Sequence, residues 1–142
     1  MASSRKWSVA AIGGLALAGL LLTGCAGQAS AANFDGTKPL ICAITTIQEC
    51  DAGQCERYAP EGSVAGAPTF IKFDVNTKVV TASAGRTSAV NTTMHLNGRL
   101  VLQGGEAGRG WSATIDEDTG VMAGAVVDND HTFSLFGACT TP

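Results

Sequence analysis

Gly110-Trp111-Ser112-Ala113-Thr114-Ile115-Asp116-Glu117-Asp118-Thr119-Gly120-Val121 carries the fold in miniature. Trp111, Ala113 and Ile115 alternate with Ser112, Thr114 and Asp116, the period of two that gives a strand one apolar face. The turn that follows has the chemistry of a hairpin: Asp side chains accept backbone N–H groups within a turn, and Gly120 tolerates positive φ. Upstream by 42 residues the pattern returns, with Ile71, Phe73 and Val75 alternating with Lys72 and Asp74. In the second copy Phe73-Asp74-Val75-Asn76-Thr77-Lys78-Val79 places Asp, Thr and Val at positions equivalent to Asp116, Thr119 and Val121. Two copies of one hairpin favour a meander.

A third hairpin surrounds Asn97-Gly98, between residues 90–96 and 100–103. A two-residue turn would pair His95 with Leu100 and set Met94 and Leu102 on opposite faces. A three-residue loop with a bulge at Gly98 pairs Met94 with Leu100 and Thr92 with Leu102, so the apolar sets agree, and this register is expected. Val121, Ala123, Ala125 and Val127 form another alternating strand, and residues 131–137 a last one holding Phe133 and Leu135. Residues 40–47 are a strand or a short helix, since Ile41, Ile44 and Gln48 also suit helical spacing. No long window shows helical periodicity. The expected fold is all-β: a small antiparallel meander, barrel first and sandwich second, of about seven or eight strands.

The residues that could carry chemistry do not assemble in sequence. Asp116-Glu117-Asp118-Thr119-Gly120 starts like a calcium loop but lacks the third oxygen ligand, and Val127 stands where a bidentate Glu is wanted. Asp128-Asn129-Asp130-His131 is a polar turn with no completing ligand. His95 and His131 are the two histidines, and Ser112 departs from the Gly-x-Ser-x-Gly elbow. No metal or cofactor and no catalysis are expected. Trp111 reads as a core anchor ahead of a ligand platform. The run 104–110, Gly-Gly-Glu-Ala-Gly-Arg-Gly, reads as a mobile connection whose charged residues, Glu106 and Arg109, are the candidate binding contacts.

The chain begins with Arg5 and Lys6 before an uncharged apolar run over residues 9–22, too short at 14 residues to span a bilayer as a stable helix. Leu22-Thr23-Gly24-Cys25 directly follows and resembles the lipobox of bacterial lipoproteins. The resemblance implies a signal peptide over residues 1–24, diacylglycerol on Cys25 and, with Ala26 next, an outer-membrane destination. Cleavage after Ala29-Ser30-Ala31 is the alternative and would give a soluble periplasmic or secreted protein. Residues 25–33 then form a flexible tether and residues 34–142 a single small domain.

Without residues 1–24 the chain keeps seven basic residues against its twelve acidic ones, a balance that argues against nucleic acid. Lipidating or removing Cys25 leaves Cys42, Cys50, Cys55 and Cys139, an even set that reads as two disulfides in an oxidising compartment. In a closed barrel the first and last strands are neighbours. Cys42 is therefore expected to pair with Cys139 and Cys50 with Cys55.

The residues from Gly110-Trp111-Ser112-Ala113-Thr114-Ile115-Asp116 through Thr119-Gly120 to Phe136-Gly137-Ala138-Cys139-Thr140 resemble a pattern in small uncharacterised exported proteobacterial proteins, over about a quarter of the chain. In outline the chain is also similar to bacterial lysozyme-inhibitor lipoproteins, which are small, lipidated, disulfide-bonded β-barrels, although their Ser-Gly-x-x-Tyr type loop is absent. The expected role is a non-catalytic binding or structural module of the cell envelope, membrane-anchored and meeting an envelope protein or glycan. The alternatives are a carrier of a small apolar ligand, an inhibitor of an envelope-targeting hydrolase, and an enzyme. A carrier requires an open apolar cavity, whereas a surface-binding module has a packed interior.

Overall fold

The computed structural model describes residues 33–59, 68–83 and 85–142, so the expected signal peptide and the lipidation residue Cys25 lie outside the described residues. Among the described residues the protein is all β, with strands β1 (Leu40–Cys50), β2 (Cys55–Tyr58), β3 (Phe70–Asp74), β4 (Val79–Ala82), β5 (Thr87–His95), β6 (Arg99–Glu106), β7 (Arg109–Asp116), β8 (Val121–Val127) and β9 (Thr132–Thr140). Residues 40–47 are thus strand, not helix. Eight of the strands form a closed antiparallel barrel in the order β1-β3-β4-β5-β6-β7-β8-β9, sealed by pairing of β9 with β1. The ninth, β2, shares an edge of β1 with β3: β3 pairs with residues 40–43 and β2 with residues 47–50.

Both expected disulfides are present. Cys42 and Cys139 are direct register partners across the β1–β9 seam, and their bridge joins residues separated by 97 positions. Cys50–Cys55 closes the β1–β2 hairpin, whose turn is organised by Asp51: its Oδ1 accepts the N–H groups of Gly53 and Gln54 at 2.7 and 2.9 Å.

The two related hairpins form as the turn chemistry predicts. Asp116 Oδ1 accepts from Thr119 N–H at 2.9 Å and from Thr119 Oγ1 at 2.8 Å, and Asp74 Oδ1 accepts from Thr77 N–H at 3.1 Å. The Asp116 carboxyl is held below its usual pKa, first by the Thr119 hydroxyl and then by the Thr119 N–H. Both turns also require left-handed backbone at the same place, where one copy has Gly120 at φ 71° and the other has Lys78 at φ 56°. A side chain with a Cβ is strained there. Lys78→Gly is accordingly expected to raise the unfolding free energy by about 0.5–1 kcal/mol, read as a higher urea midpoint at unchanged m.

Three expectations are corrected. The Asn97-Gly98 hairpin is a two-residue turn with both residues at positive φ, 51° and 72°, and its register pairs His95 with Leu100 and Met94 with Val101. The bulge that reconciles the apolar faces lies within β5, between Val90 and Thr92, and leaves Met94 on the outside at 44% exposure. In β8 the alternation has the opposite sense from the one expected. Met122 and Gly124 pair with Ile115 and Ala113 of the inward face of β7, while Val121 and Val127 are exposed. Finally, residues 104–110 are not a mobile connection. Gly104, Gly105 and Glu106 end β6, Arg109 and Gly110 begin β7, and only Ala107-Gly108 forms the turn, with φ of 48° and 82°.

Gly104 has a packing reason to be glycine. A Cβ there would stand 2.1 Å from the carbonyl oxygen of Ala89 and 2.4 Å from the Trp111 ring. The indole lies over the bare backbone of the neighbouring strand.

One end of the barrel is closed. Phe34 is buried as part of the core. Its N–H donates to Glu117 O at 3.0 Å, and Asn76 Nδ2 donates to Thr37 O at 3.1 Å. Residues 33–39 are therefore stitched to the β3–β4 and β7–β8 turns. A Cβ on Gly120 would meet the Phe34 ring at 2.9 Å, so this glycine serves the packing of that end as well as its turn.

Candidate functional site

The opposite end of the barrel is open. A cavity of about 510 Å³ enters there, within the range of pockets that hold small organic molecules. All eight barrel strands contribute to its wall, among them Ile47 from β1, Phe73 from β3, Val80 from β4, Ser88 from β5, Glu106 from β6, Trp111 from β7, Val126 from β8 and Leu135 from β9.

The cavity is the upper level of the interior, where the small residues Ala82, Ser88, Ala113 and Gly124 stand among larger lining residues such as Ile71, Phe73 and Leu135. Leu100, Leu102, Ile115 and Met122 are almost completely buried, and Met122 also lines the cavity. The floor is therefore packed hydrocarbon and the chamber above it is apolar.

Trp111 is the largest side chain of the wall. It is tilted 52° against Phe73, with ring centroids 6.3 Å apart, and its Nε1–H donates to Ser88 Oγ at 2.8 Å. Ser88 Oγ in turn reaches Gly105 O at 3.4 Å. Among the described residues no buried side-chain polar atom lacks a partner. Trp111 thus joins two roles that the sequence set against each other: it packs on the core and forms part of the chamber wall.

Charge is confined to the rim. Arg86, Glu106, Arg109 and Asp128 all line the entrance. Arg109 Nε donates to Asp128 Oδ2 at 2.7 Å, joining the start of β7 to the turn after β8. The Asp128 carboxyl is held below the usual range by the Asn129 backbone N–H and by the Arg109 guanidinium. Glu106 is the register partner of Arg109 across the β6–β7 turn. The two candidate contact residues picked from the glycine run therefore meet as neighbours at the cavity entrance.

No family model, no curated protein and no solved structure matches this chain. What the site can do has to be argued from its own chemistry.

The remaining candidates stay apart. His95 lies at the closed end, where its Nδ1 is 2.7 Å from Glu117 Oε1, and His131 lies in the β8–β9 turn at the open end, with its Nδ1 3.4 Å from Glu49 Oε1. Among the described residues no three metal-ligating side chains cluster. The Asp116-to-Gly120 segment is occupied with its own turn hydrogen bonds. Sequence reasoning missed the small inward residues Ala82, Ala113 and Gly124 as parts of a site. Their signal is visible only when the eight strands are laid side by side.

Proposed function

We propose that this protein is a non-catalytic binding module of the bacterial cell envelope whose ligand is a small apolar molecule carried inside the barrel. One observation carries the reading: an apolar chamber walled by all eight strands, open at one end and closed at the other. A barrel that served only to display a surface would gain stability by filling that level, because empty interior forfeits both dispersion contacts and hydrophobic transfer. Holding the level open is a cost consistent with selection for a ligand.

The lipobox and the two disulfides support export and anchoring through Cys25, with the outer membrane as the destination. Residue 34 enters the fold at the closed end, opposite the mouth, and the proposed anchor lies upstream of it in the chain. An anchored molecule would then offer its entrance to the aqueous phase and not to the membrane that holds it.

N-phenyl-1-naphthylamine, an uncharged dye that fluoresces in apolar surroundings, is the direct probe. It is expected to bind the mature protein in the micromolar range. Ala113→Phe and Ala82→Phe, which place a ring in the chamber from different strands, are each expected to weaken it by at least about tenfold, or roughly 1.4 kcal/mol. Undiminished binding to folded forms of both variants would contradict the reading.

A further inference from the structure

We infer that the chamber selects an uncharged amphiphile, inserted hydrocarbon first, with its neutral head left at the rim. The inference rests on the chamber being a ligand site and adds the chemical class of that ligand.

Two observations exclude the other classes. Away from the rim the polar side chains that line the chamber are few, and Trp111 Nε1–H and Ser88 Oγ are already bonded to each other, with Ser88 Oγ also reaching Gly105 O. A hydroxyl, amide or charge carried into that space would lose its water without gaining a hydrogen bond. The inserted part must therefore be hydrocarbon, aliphatic or aromatic, lying against Phe73, Trp111, Val126 and Leu135. At the rim, two guanidinium groups and two carboxylates face the entrance, and the Arg109–Asp128 pair is already closed at 2.7 Å. A carboxylate head brought to Arg109 or Arg86 would stand beside the like charges of Asp128 and Glu106. An ammonium head brought to Glu106 or Asp128 would stand beside the like charges of Arg109 and Arg86. A hydroxyl or ester head accepts from a guanidinium or donates to a carboxylate without breaking the Arg109–Asp128 pair, and so loses nothing at the rim.

Dodecan-1-ol, dodecanoate and dodecylammonium share one chain and differ in head charge. Each is titrated below its aggregation concentration at neutral pH, in competition with N-phenyl-1-naphthylamine on the mature protein. Dodecan-1-ol is expected to displace the dye at least about tenfold more effectively than either ion. In Asp128→Asn, where Arg109 loses its partner, the gap between dodecanoate and dodecan-1-ol should narrow by about fivefold. Dodecanoate or dodecylammonium displacing the dye as well as the alcohol does would overturn the selectivity while leaving the chamber as a site. Failure of all three to compete with bound dye would overturn it too. Failure of the dye itself to bind would instead sink the chamber reading on which the inference rests.

Discussion

Replacing both Cys42 and Cys139 with alanine is expected to lower the unfolding free energy by about 4.7 kcal/mol, against about 2 kcal/mol for the pair Cys50→Ala and Cys55→Ala. The difference comes from loop length. The long bridge closes residues separated by 97 positions, whereas the short one spans 5, and the chain-entropy cost removed from the unfolded state grows with the logarithm of that span. The long bridge also seals the barrel, since β1 and β9 are the first and last strands and their pairing is what closes the sheet. A small domain has about 5–15 kcal/mol in total, so its loss removes a large share of the stability. Thermal unfolding followed by circular dichroism should show a drop on the order of 15 °C for the Cys42/Cys139 variant. Equal drops for the two double variants would contradict this assignment.

Gly104→Ala is expected to cost about 3 kcal/mol, at the upper end for overpacking, although it adds a single methyl group. The clash is with rigid atoms: the Ala89 carbonyl oxygen on β5 and the Trp111 ring on β7. Neither can yield cheaply, because Ala89 is paired in the ladder with Gly105 and Trp111 is bonded to Ser88. If Trp111 does shift, its Nε1–H loses Ser88 and the chamber changes shape. The variant should therefore combine a lower denaturant midpoint with altered tryptophan emission. A neutral Gly104→Ala would mean that the indole does not lie over this strand.

The parts of the fold that sequence made legible are those in which one residue in two is apolar. Residues 71–75 and 111–115 alternate cleanly, and Asp74 and Asp116 mark the turns that follow them. In β8, Val-Met-Ala-Gly-Ala-Val-Val is uncharged on both faces, so periodicity could not say which set points inward. The decision belongs to the Asp116-to-Gly120 turn, which sets Met122 opposite Ile115. The β5–β6 register was obscured for a related reason, since a bulge between Val90 and Thr92 changes the side-chain phase within a strand where no residue advertises it. The short strand β2, Cys-Glu-Arg-Tyr, is nearly all exposed and has no apolar alternation to betray it.

The candidate site was less legible than the fold. Glu106 and Arg109 stand out in sequence as the charged members of a glycine-rich run, but that run is strand and turn because Trp111 and Ala89 exclude a side chain at Gly104. The chamber is lined in part by small residues of separate strands, Ala82 on β4, Ser88 on β5, Ala113 on β7 and Gly124 on β8. Each is unremarkable in its own segment. Only the closed strand order brings them to one cavity.

A competitor to the chamber is an apolar stretch of outer wall where Val121 and Val127 of β8 and Phe136 of β9 are 59, 54 and 46% exposed. Isotope-filtered nuclear Overhauser measurements on the labelled mature protein with unlabelled dodecan-1-ol distinguish the two directly. The account predicts contacts from the alkyl chain to the Trp111 indole, the Met122 methyl group and Leu135, with none to the outer wall. Contacts to Val121, Val127 and Phe136, with the Trp111 and Met122 signals unmoved, would contradict it.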